Sequence, residues 1–474
     1  EGWAAEMRIP FTQLRFSPAE EQVWGANFVR RRPALQEESM WRLVRRDETG
    51  WASRMGELRL VGVRATGRLE FQPYLTSRGT LASVTDPDDP FSDPRELSMG
   101  IGGDFKAGLG PNLTLDVTVN PDFGQVEADP AVVNLSAFEV FFDERRPFFT
   151  EGLQLFEFGN FFYSRRIGAQ PQGQASADYV EGPENTTILG AAKLTGRLPS
   201  GLSLGVLAAL TDQEKVRTFD TAANRFGETV VEPMTLYAAS RVQQQFGADG
   251  STVGGFVGVV RRDVGELPAL SELLVETALS GGVDGRYRWN GGMYDVNWQI
   301  AGTHVRGSEA AILRQQRSSR RYFQRPDADY VEVDPARTAL TGYNVTVGHS
   351  KLSGAHWLWD IDLWAESPGL EPNDLGRLSS TDGIGGFGGI SYRETVPGRF
   401  FRAYTIRLMT EQEWIYDGTR VSAWHGLFLS ATFNNFWYVE GGFDYHPRVL
   451  NHTLTRGGPL MRRGGFRGPW MAIV

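Results

Sequence analysis

The sequence contains no cysteine and very little lysine, which occurs only at Lys106, Lys193, Lys215 and Lys351. Without cysteine, the chain has no disulfide framework, no thiolate metal site and no cysteine nucleophile. It also has no apolar run of 18 residues, which excludes transmembrane α-helices. Its formal net charge of −9 argues against a general nucleic-acid binder. A hydrophobic content of 41% excludes a disordered chain.

Glycine and aromatic residues are abundant instead. The 474 residues include 56 glycines, and 12% of them are aromatic. This combination fits many strands with tight turns better than it fits helices. The length exceeds the roughly 100–200 residues of a typical compact domain, so it indicates two or three domains or one very large one.

Apolar and polar residues alternate over many long segments, which places them on opposite faces of strands. One face is apolar, with Trp or Tyr near its ends, and the other carries Asp, Asn, Thr, Gln and Arg. We expect the apolar face to meet lipid and the polar face to line a lumen. The residues predicted to face outward are Leu113, Leu115, Val117, Leu204, Val206, Val296, Trp298, Trp359 and Ile361. Those predicted to face inward are Asp116, Asp295, Asn297, Asp360 and Asp362.

The connections between these segments alternate in length. Short turns are expected at 108–111, 198–201, 247–250, 289–291, 352–354 and 396–398. Long loops are expected at 79–95, 121–186, 214–233, 263–272, 307–339 and 367–382. Short turns on one rim and long loops on the other are typical of an outer-membrane barrel. A soluble β protein also alternates, but it would have to bury the apolar faces of about 14 long strands elsewhere in the chain.

These patterns predict an all-β fold. Residues 67–474 are expected to form a large antiparallel up-and-down transmembrane β-barrel with about 14–16 strands. Residues 1–66 are expected to be the tail of a separate β-sandwich module and a linker.

The 121–186 connection is too long for a structureless loop in a compact protein. It contains the capping-box pattern Ser136 to Glu139, which predicts a short amphipathic helix at about 136–145, ended by Pro147. The apolar side of this helix needs a partner, which phenylalanines nearby can supply. The segment is therefore predicted to be a plug or constriction inside the barrel.

The same segment is rich in charge, and two interpretations are open. Paired carboxylates can act as the acid and the nucleophile of a glycosidase. The favoured interpretation is that carboxylates and arginines pair with each other and fix the plug to the wall, with no catalytic residue among them. The predicted plug and lumen network consists of Glu127, Asp129, Glu139, Asp143, Glu144, Arg145, Arg146, Glu151, Arg165, Arg166 and Lys193.

An arginine-rich stretch in the 307–339 loop is a second candidate. Arg317, Arg320, Arg321 and Tyr322 could contact an anion or a glycan on an outer loop. The favoured alternative is a surface loop that neutralises itself, because several carboxylates follow. The six histidines show no metal-ligand spacing, so no metal and no cofactor are expected.

Two segments resemble a known family. The first is residues 1–61, which include Trp3-Ala4-Ala5-Glu6-Met7-Arg8-Ile9-Pro10-Phe11 and Trp24-Gly25-Ala26-Asn27-Phe28. The second is residues 119–166, which include Val119-Asn120-Pro121-Asp122-Phe123-Gly124-Gln125, Arg145-Arg146-Pro147-Phe148-Phe149 and Tyr163-Ser164-Arg165-Arg166. Together they resemble Gram-negative outer-membrane proteins that carry a family 9 carbohydrate-binding-like domain ahead of a barrel domain of unknown function.

The resemblance implies an outer-membrane location with residues 1–66 in the periplasm. It also implies that the chain is an internal piece, with most of the carbohydrate-binding-like domain upstream and the barrel continuing downstream. It transfers no sugar-binding residue and no biochemical activity.

Three functions follow as hypotheses. The first is a porin-like channel or uptake component for a solute, with a glycan-related solute as one option. Its partner would be the lipid bilayer, contact with carbohydrate is left open, and no role for nucleic acid is expected. The second is a non-transporting barrel that anchors or displays a carbohydrate-binding module. The third, which is disfavoured because no enzyme motif is present, is a glycoside hydrolase embedded in the barrel.

Overall fold

The computed structural model describes residues 4–11, 14, 16, 19–35, 37–45, 48, 51–63, 69–81, 83, 86–93, 95–121, 132–134 and 139–473. The strands are β1 Glu21–Ala26, β2 Val29–Arg32, β3 Glu37–Met40, β4 Gly56–Val61, β5 Leu69–Leu81, β6 Arg95–Leu109, β7 Leu113–Val119, β8 Tyr179–Glu181, β9 Ile188–Arg197, β10 Leu202–Thr211, β11 Glu214–Asp220, β12 Arg225–Glu232, β13 Thr235–Phe246, β14 Ser251–Arg262, β15 Thr277–Trp289, β16 Tyr294–Arg306, β17 Ala339–Lys351, β18 Trp357–Glu366, β19 Gly383–Glu394, β20 Phe401–Trp414, β21 Arg420–Phe433, β22 Tyr438–His446, β23 Val449–Asn451, β24 Met461–Arg463 and β25 Phe466–Ile473. The helices are α1 Pro147–Thr150, α2 Pro268–Leu273 and α3 Glu309–Gln316.

Sixteen strands form one antiparallel sheet in the order β25-β22-β21-β20-β19-β18-β17-β16-β15-β14-β13-β10-β9-β7-β6-β5. Each strand pairs with its nearest neighbour along the chain once the small inserted strands are set aside, which is the up-and-down topology. The prediction of a large antiparallel all-β fold with about 14–16 strands is confirmed. The sheet is not closed, because β5 and β25 form its two edges.

The connections separate into two rims. The short rim consists of residues 110–112, 198–201, 247–250, 290–293, 352–356, 395–400 and 434–437. The long rim consists of residues 212–234, 263–276, 307–338, 367–382, 415–419 and 447–465, together with the described residues of the connections from β5 to β6 and from β7 to β9. One member departs from the predicted pattern, because 415–419 is a tight turn on the long rim. Its Gly418 has a φ of 85° and donates a backbone hydrogen bond to Ile415.

The two faces of the sheet differ as predicted. We call the face that packs against residues 147–167 the inner face and the opposite one the outer face. In β7, Thr114, Asp116 and Thr118 are buried on the inner face, whereas the residues between them are partly exposed on the outer face. The strand registers extend this assignment across the sheet. All of the residues named above as outward or inward lie on the predicted face.

The inner face is not polar along its whole length. Near the long rim, β9 to β17 carry apolar inner residues that form one buried core with the inserted segment 147–167 and with the 307–338 and 367–382 connections. Near the short rim, the inner face is polar, with residues such as Arg241, Asp284 and Asp295. The inserted segment therefore occupies the half of the concave side that lies towards the long rim.

The predicted helix at about 136–145 is not borne out where the structure describes it. Residues 139–146 have no regular structure, and residues 136–138 lie outside the described residues. Pro147 begins the short helix α1 instead of ending a helix, because proline is favoured at the first helical position, where its missing N–H costs nothing. Among the described residues, no helix is long and apolar enough to cross a membrane.

Small sheets accompany the large one. Residues before the main sheet form two hairpin-like pairs, β1 with β4 and β2 with β3. On the long rim, β8, β11 and β12 form a three-stranded sheet, and β23 pairs with β24. Before residue 69, the described strands thus lie between residues 21 and 61, and none of them pairs with the main sheet.

Candidate functional site

Lys193 lies at the centre of the contact between the inserted segment and the wall. The segment comprising residues 139–186 is called the plug from here on. Lys193 is on the inner face of β9, and its side chain is 1% exposed. Its Nζ donates to the carbonyl oxygens of Glu151, at 2.6 Å, and of Phe148. Asp116 Oδ2 lies 4.0 Å from Nζ, and Lys106 bridges Asp116, at 3.3 Å, and the Glu151 carboxylate. Two lysines and two carboxylates therefore fix α1 to β6, β7 and β9.

A second cluster holds the plug in its own shape. Arg146 contacts both carboxylate oxygens of Glu144, at 2.9 and 2.7 Å, and donates to the carbonyl oxygens of Ile167 and Ser164. The Ser164 hydroxyl donates to Glu144 Oε2 at 2.6 Å. Burial raises the pKa of Glu144, but the hydrogen bonds and the charge of Arg146, helped by Ser164, outweigh burial and lower it overall. Glu144 is therefore a buried, ionised anchor that joins the start of the plug to residues 164–167.

The plug is also tied to the long-rim connection 367–382. Arg166 forms a bidentate ion pair with Glu139, at 2.6 and 3.1 Å, and its Nε donates to the carbonyl oxygen of Gly376. Arg377 donates to the carbonyl oxygen of Glu139 at 2.8 Å. The same connection reaches the wall, since Arg262 Nη1 lies 2.6 Å from Asp374. The plug and this connection form one packed unit within the concave side.

Aromatic rings fill the space between these polar contacts. Phe158 stacks on the inner-face ring of Phe256 with 5.2 Å between centroids, and the Arg241 guanidinium lies 5.2 Å from the Phe158 centroid. Phe156 is 1% exposed and lies against Gly205 of β10, where an added Cβ would be 3.1 Å from the ring. A Cβ at position 205 would require the ring to shift by a few tenths of an ångström, so glycine favours this close approach.

The remaining residues of the predicted plug network have different surroundings. Glu127 and Asp129 lie outside the described residues. Asp143 contributes its backbone carbonyl oxygen, which accepts from Arg165 Nε at 2.8 Å. The backbone N–H of Arg145 donates to Glu144 Oε1 at 3.0 Å. The structure therefore brings together Glu139, Glu144, Arg146, Glu151, Arg166 and Lys193.

The predicted outer-loop contact needs correction. Arg321 and Tyr322 are buried, at 1% and 6% exposure, so they do not present their side chains to a ligand from an exposed loop. Arg321 Nη2 forms an ion pair with Glu371 at 2.6 Å and donates to the carbonyl oxygen of Leu370. Arg320 approaches the same carboxylate at 3.7 Å, whereas Arg317 is exposed. The cluster locks the 307–338 connection onto the 367–382 connection.

Sequence reasoning missed several polar partners of these clusters. Burial raises the pKa of Glu371, but Arg321 and Arg320 outweigh it, so the carboxylate stays ionised with a lowered pKa. Arg325 and Tyr330 both contact Asp382, which is another buried pairing between the two connections. One signal was available for Lys106, since lysine is so rare here that two inner-face lysines stand out. The described residues include no group of three or more His, Asp or Glu that could hold a metal ion.

Comparisons with known proteins identify a family for most of the chain. Residues 65–260 and 303–453 match the model of a domain of unknown function, DUF5916, and the chain belongs to this family. No curated protein sequence matches the chain. Among solved structures, the chain is similar to OccAB1 of Acinetobacter baumannii, with 10% identity, a TM-score of 0.29, and coverage of 86% of this chain and 95% of that one.

Proposed function

We propose that the chain forms the wall of an outer-membrane channel, with the plug as its gate. The observation that carries the proposal is the outer face of the main sheet. Large apolar residues stand exposed there on strand after strand, for example Leu75 at 70%, Ile101 at 74% and Val257 at 59%. A continuous apolar surface of this kind is unfavourable in water but matches the lipid-facing band of a membrane barrel.

The rims give the channel an orientation. In bacterial outer-membrane barrels, the short turns lie in the periplasm and the long loops outside the cell. With this orientation, the plug closes the extracellular half and the polar inner face near the short rim opens to the periplasm. Residues 1–66, which precede the first strand of the sheet, would then be periplasmic.

A non-transporting scaffold is the second candidate. The apolar packing of the plug against β9 to β17 supports it, because this buried core occupies the long-rim half of the concave side along these strands. Such a protein would hold its rims in place without passing solute. The resemblance of residues 1–61 to a carbohydrate-binding module stays a prediction, since the family match begins at residue 65.

A glycosidase receives less support. Three glutamates of the plug each contact a cation, namely Glu139 with Arg166, Glu144 with Arg146, and Glu151 with Lys106. A nucleophile and a general acid need two carboxylates that face each other across an accessible cleft. We therefore propose a non-enzymatic role.

A disulfide that fixes the plug to the wall and can be reduced again tests whether the plug gates a channel. The chain has no native cysteine, so the variant Gly152→Cys/Thr195→Cys introduces a single pair. A Cβ added at Gly152 would lie 3.6 Å from the Thr195 Cβ, within the range of a disulfide. The φ of Gly152 is 72°, so the substitution carries some backbone strain, and the single variant Gly152→Cys is the control for it.

Conductance across planar bilayers would be recorded before and after reduction. We expect the oxidised double variant to conduct less than the reduced one, and the single variant to be insensitive to reductant. Deletion of residues 121–186 should raise conductance further. If the unmodified protein and the deletion variant both fail to conduct, the scaffold is the better description.

A further inference from the structure

The plug covers only part of the inner wall. Its buried core includes inner-face residues of β9, β10 and β13 to β17, but among the described residues it includes none from β18 to β22. The inner face of β18 to β21 therefore lies beside the plug without being packed by it. A solute path, if the chain is a channel, runs along this part of the wall.

Negative charge is in excess on this uncovered part of the wall. Strand registers place five carboxylates and two arginines on the inner face of β18 to β21. Asp360 is neutralised by Arg407, whose Nη2 lies 2.9 Å away. Among the described residues, no ion pair involves the other four, which we call the acidic lane: Asp362, Glu366, Glu411 and Glu413.

Three inner-face cations on β9, β13 and β14 are held by acceptors or carboxylates. Lys193 is held by plug carbonyl oxygens, Arg241 by Asp284 at 2.6 Å, and Arg262 by Asp374 at 2.6 Å. The plug and the long-rim connection thus hold Lys193 and Arg262, and Asp284 of strand β15 holds Arg241. The acidic lane is left as the charge that a passing solute meets.

Aromatic side chains alternate with these carboxylates. One row across the strands runs Asp362, Phe387, Glu411 and Trp424, and in the next row Trp364 and Gly385 precede Glu413. At the edge of the lane, Asp295 is 4% exposed. Its Oδ2 lies 3.4 Å from Arg286 Nε, and its Oδ1 has no hydrogen-bond partner among the described residues. Carboxylates beside indole and phenyl rings are the combination that attracts organic cations, by charge and by cation–π contact.

We propose that the acidic lane is the solute path and that it selects positively charged solutes, in particular protonated amines. The inference rests on the proposed channel function and adds the class of solute to it. Carboxylates that line a pore raise the local concentration of cations and oppose anions, so selectivity follows from the lane and not from the plug.

Reversal potentials of the full chain in planar bilayers test the proposal, first in a KCl gradient and then with spermidine chloride on one side. We expect K⁺ to be more permeant than Cl⁻ and spermidine to carry current. Glu411→Gln and Glu413→Gln should each lower the cation-to-anion permeability ratio about two- to fivefold, because each removes one unit of nearby charge. Asp104→Asn on β6 is the matched control, since it removes an inner-face carboxylate outside the lane.

A reversal potential does not depend on how many molecules insert, so poor folding of a variant does not affect the result. Conductance that favours anions, or that keeps its selectivity in both lane variants, overturns the acidic lane and leaves the channel intact. An equal effect of Asp104→Asn overturns the lane as well. Absence of any conductance overturns the channel and the lane together.

Discussion

Replacing Lys193 by methionine should loosen the plug without emptying its site, because methionine keeps the length of the aliphatic stem. The substitution removes the hydrogen bonds to the carbonyl oxygens of Phe148 and Glu151, and it leaves Asp116 with Lys106 as its remaining cation. A hydrogen bond from a charged donor contributes about 1.5–3 kcal/mol, and the side chain is almost fully buried, so solvent screening is small. We take about 3 kcal/mol as the loss, which multiplies the population of the undocked plug about 100-fold.

Single-channel recording measures this population directly, as the fraction of time spent in the larger conductance. The matched control is Lys215→Met, which removes a lysine that is 54% exposed and contacts Glu228 at 3.5 Å on the long rim. We expect long openings in the Lys193 variant and unchanged gating in the Lys215 variant. Identical open fractions in the Lys193 variant and the unmodified protein would refute the assignment of Lys193 as the anchor of the plug.

Three further predictions concern the packed long-rim half. Phe156→Ala should make the free energy of plug docking less favourable by about 3–5 kcal/mol and speed proteolysis within residues 147–167. Phe141→Ala removes an exposed ring and should do neither. Equal protection from the protease in the two variants contradicts this prediction. Burial and the Arg325 charge lower the pKa of His452 to about 4 in the folded protein. The contribution of this neutral histidine to folding stability is therefore fully present above about pH 6.5, and it is lost as the pH falls towards about 4, because the unfolded chain binds the proton first. Proteolytic cleavage within residues 447–465 should therefore increase as the pH falls from about 6.5 to about 4 and should not change in His452→Gln. An increase that persists in the variant contradicts this prediction. Arg321→Met leaves the buried Glu371 with Arg320, at 3.7 Å, as its remaining cation and should cost up to about 3–5 kcal/mol. The double variant Arg321→Met/Glu371→Leu should recover most of this loss, measured as the temperature at which the mobility of the folded protein on a gel is lost. A double variant less stable than the single one argues against the ion pair.

Much of the fold was predictable because strand facing is a local property. A side chain on a strand points opposite to its neighbours, so alternation in residues such as Leu113 to Val119 assigns both faces without any knowledge of the partner strand. The same rule placed Lys193 on the inner face. Its hydrogen-bond acceptors could not be predicted, because they are backbone carbonyl oxygens of a segment whose path depends on tertiary packing.

The errors share a physical origin in long-range contacts. Proline after a polar run is compatible with the end of a helix or with its first turn, and Glu144 supports the second outcome by taking Arg146 and Ser164 as partners. A cluster of arginines resembles a solvated surface until its partner is known. For Arg321 that partner is Glu371, far along the chain in another connection.

The position of the plug in the chain has a consequence for assembly. It is inserted between β7 and β9, which are directly paired, so Val119 faces Gly190 across the ladder and the flanking strands meet whether or not the plug is in place. Both ends of the insertion emerge at the same rim. The strands of the wall can therefore pair one after another before the insertion docks. Docking of the phenylalanine-rich segment can then be the last step of folding. A folding intermediate with a complete wall and an unfilled interior is the kinetic state that this order of connections permits.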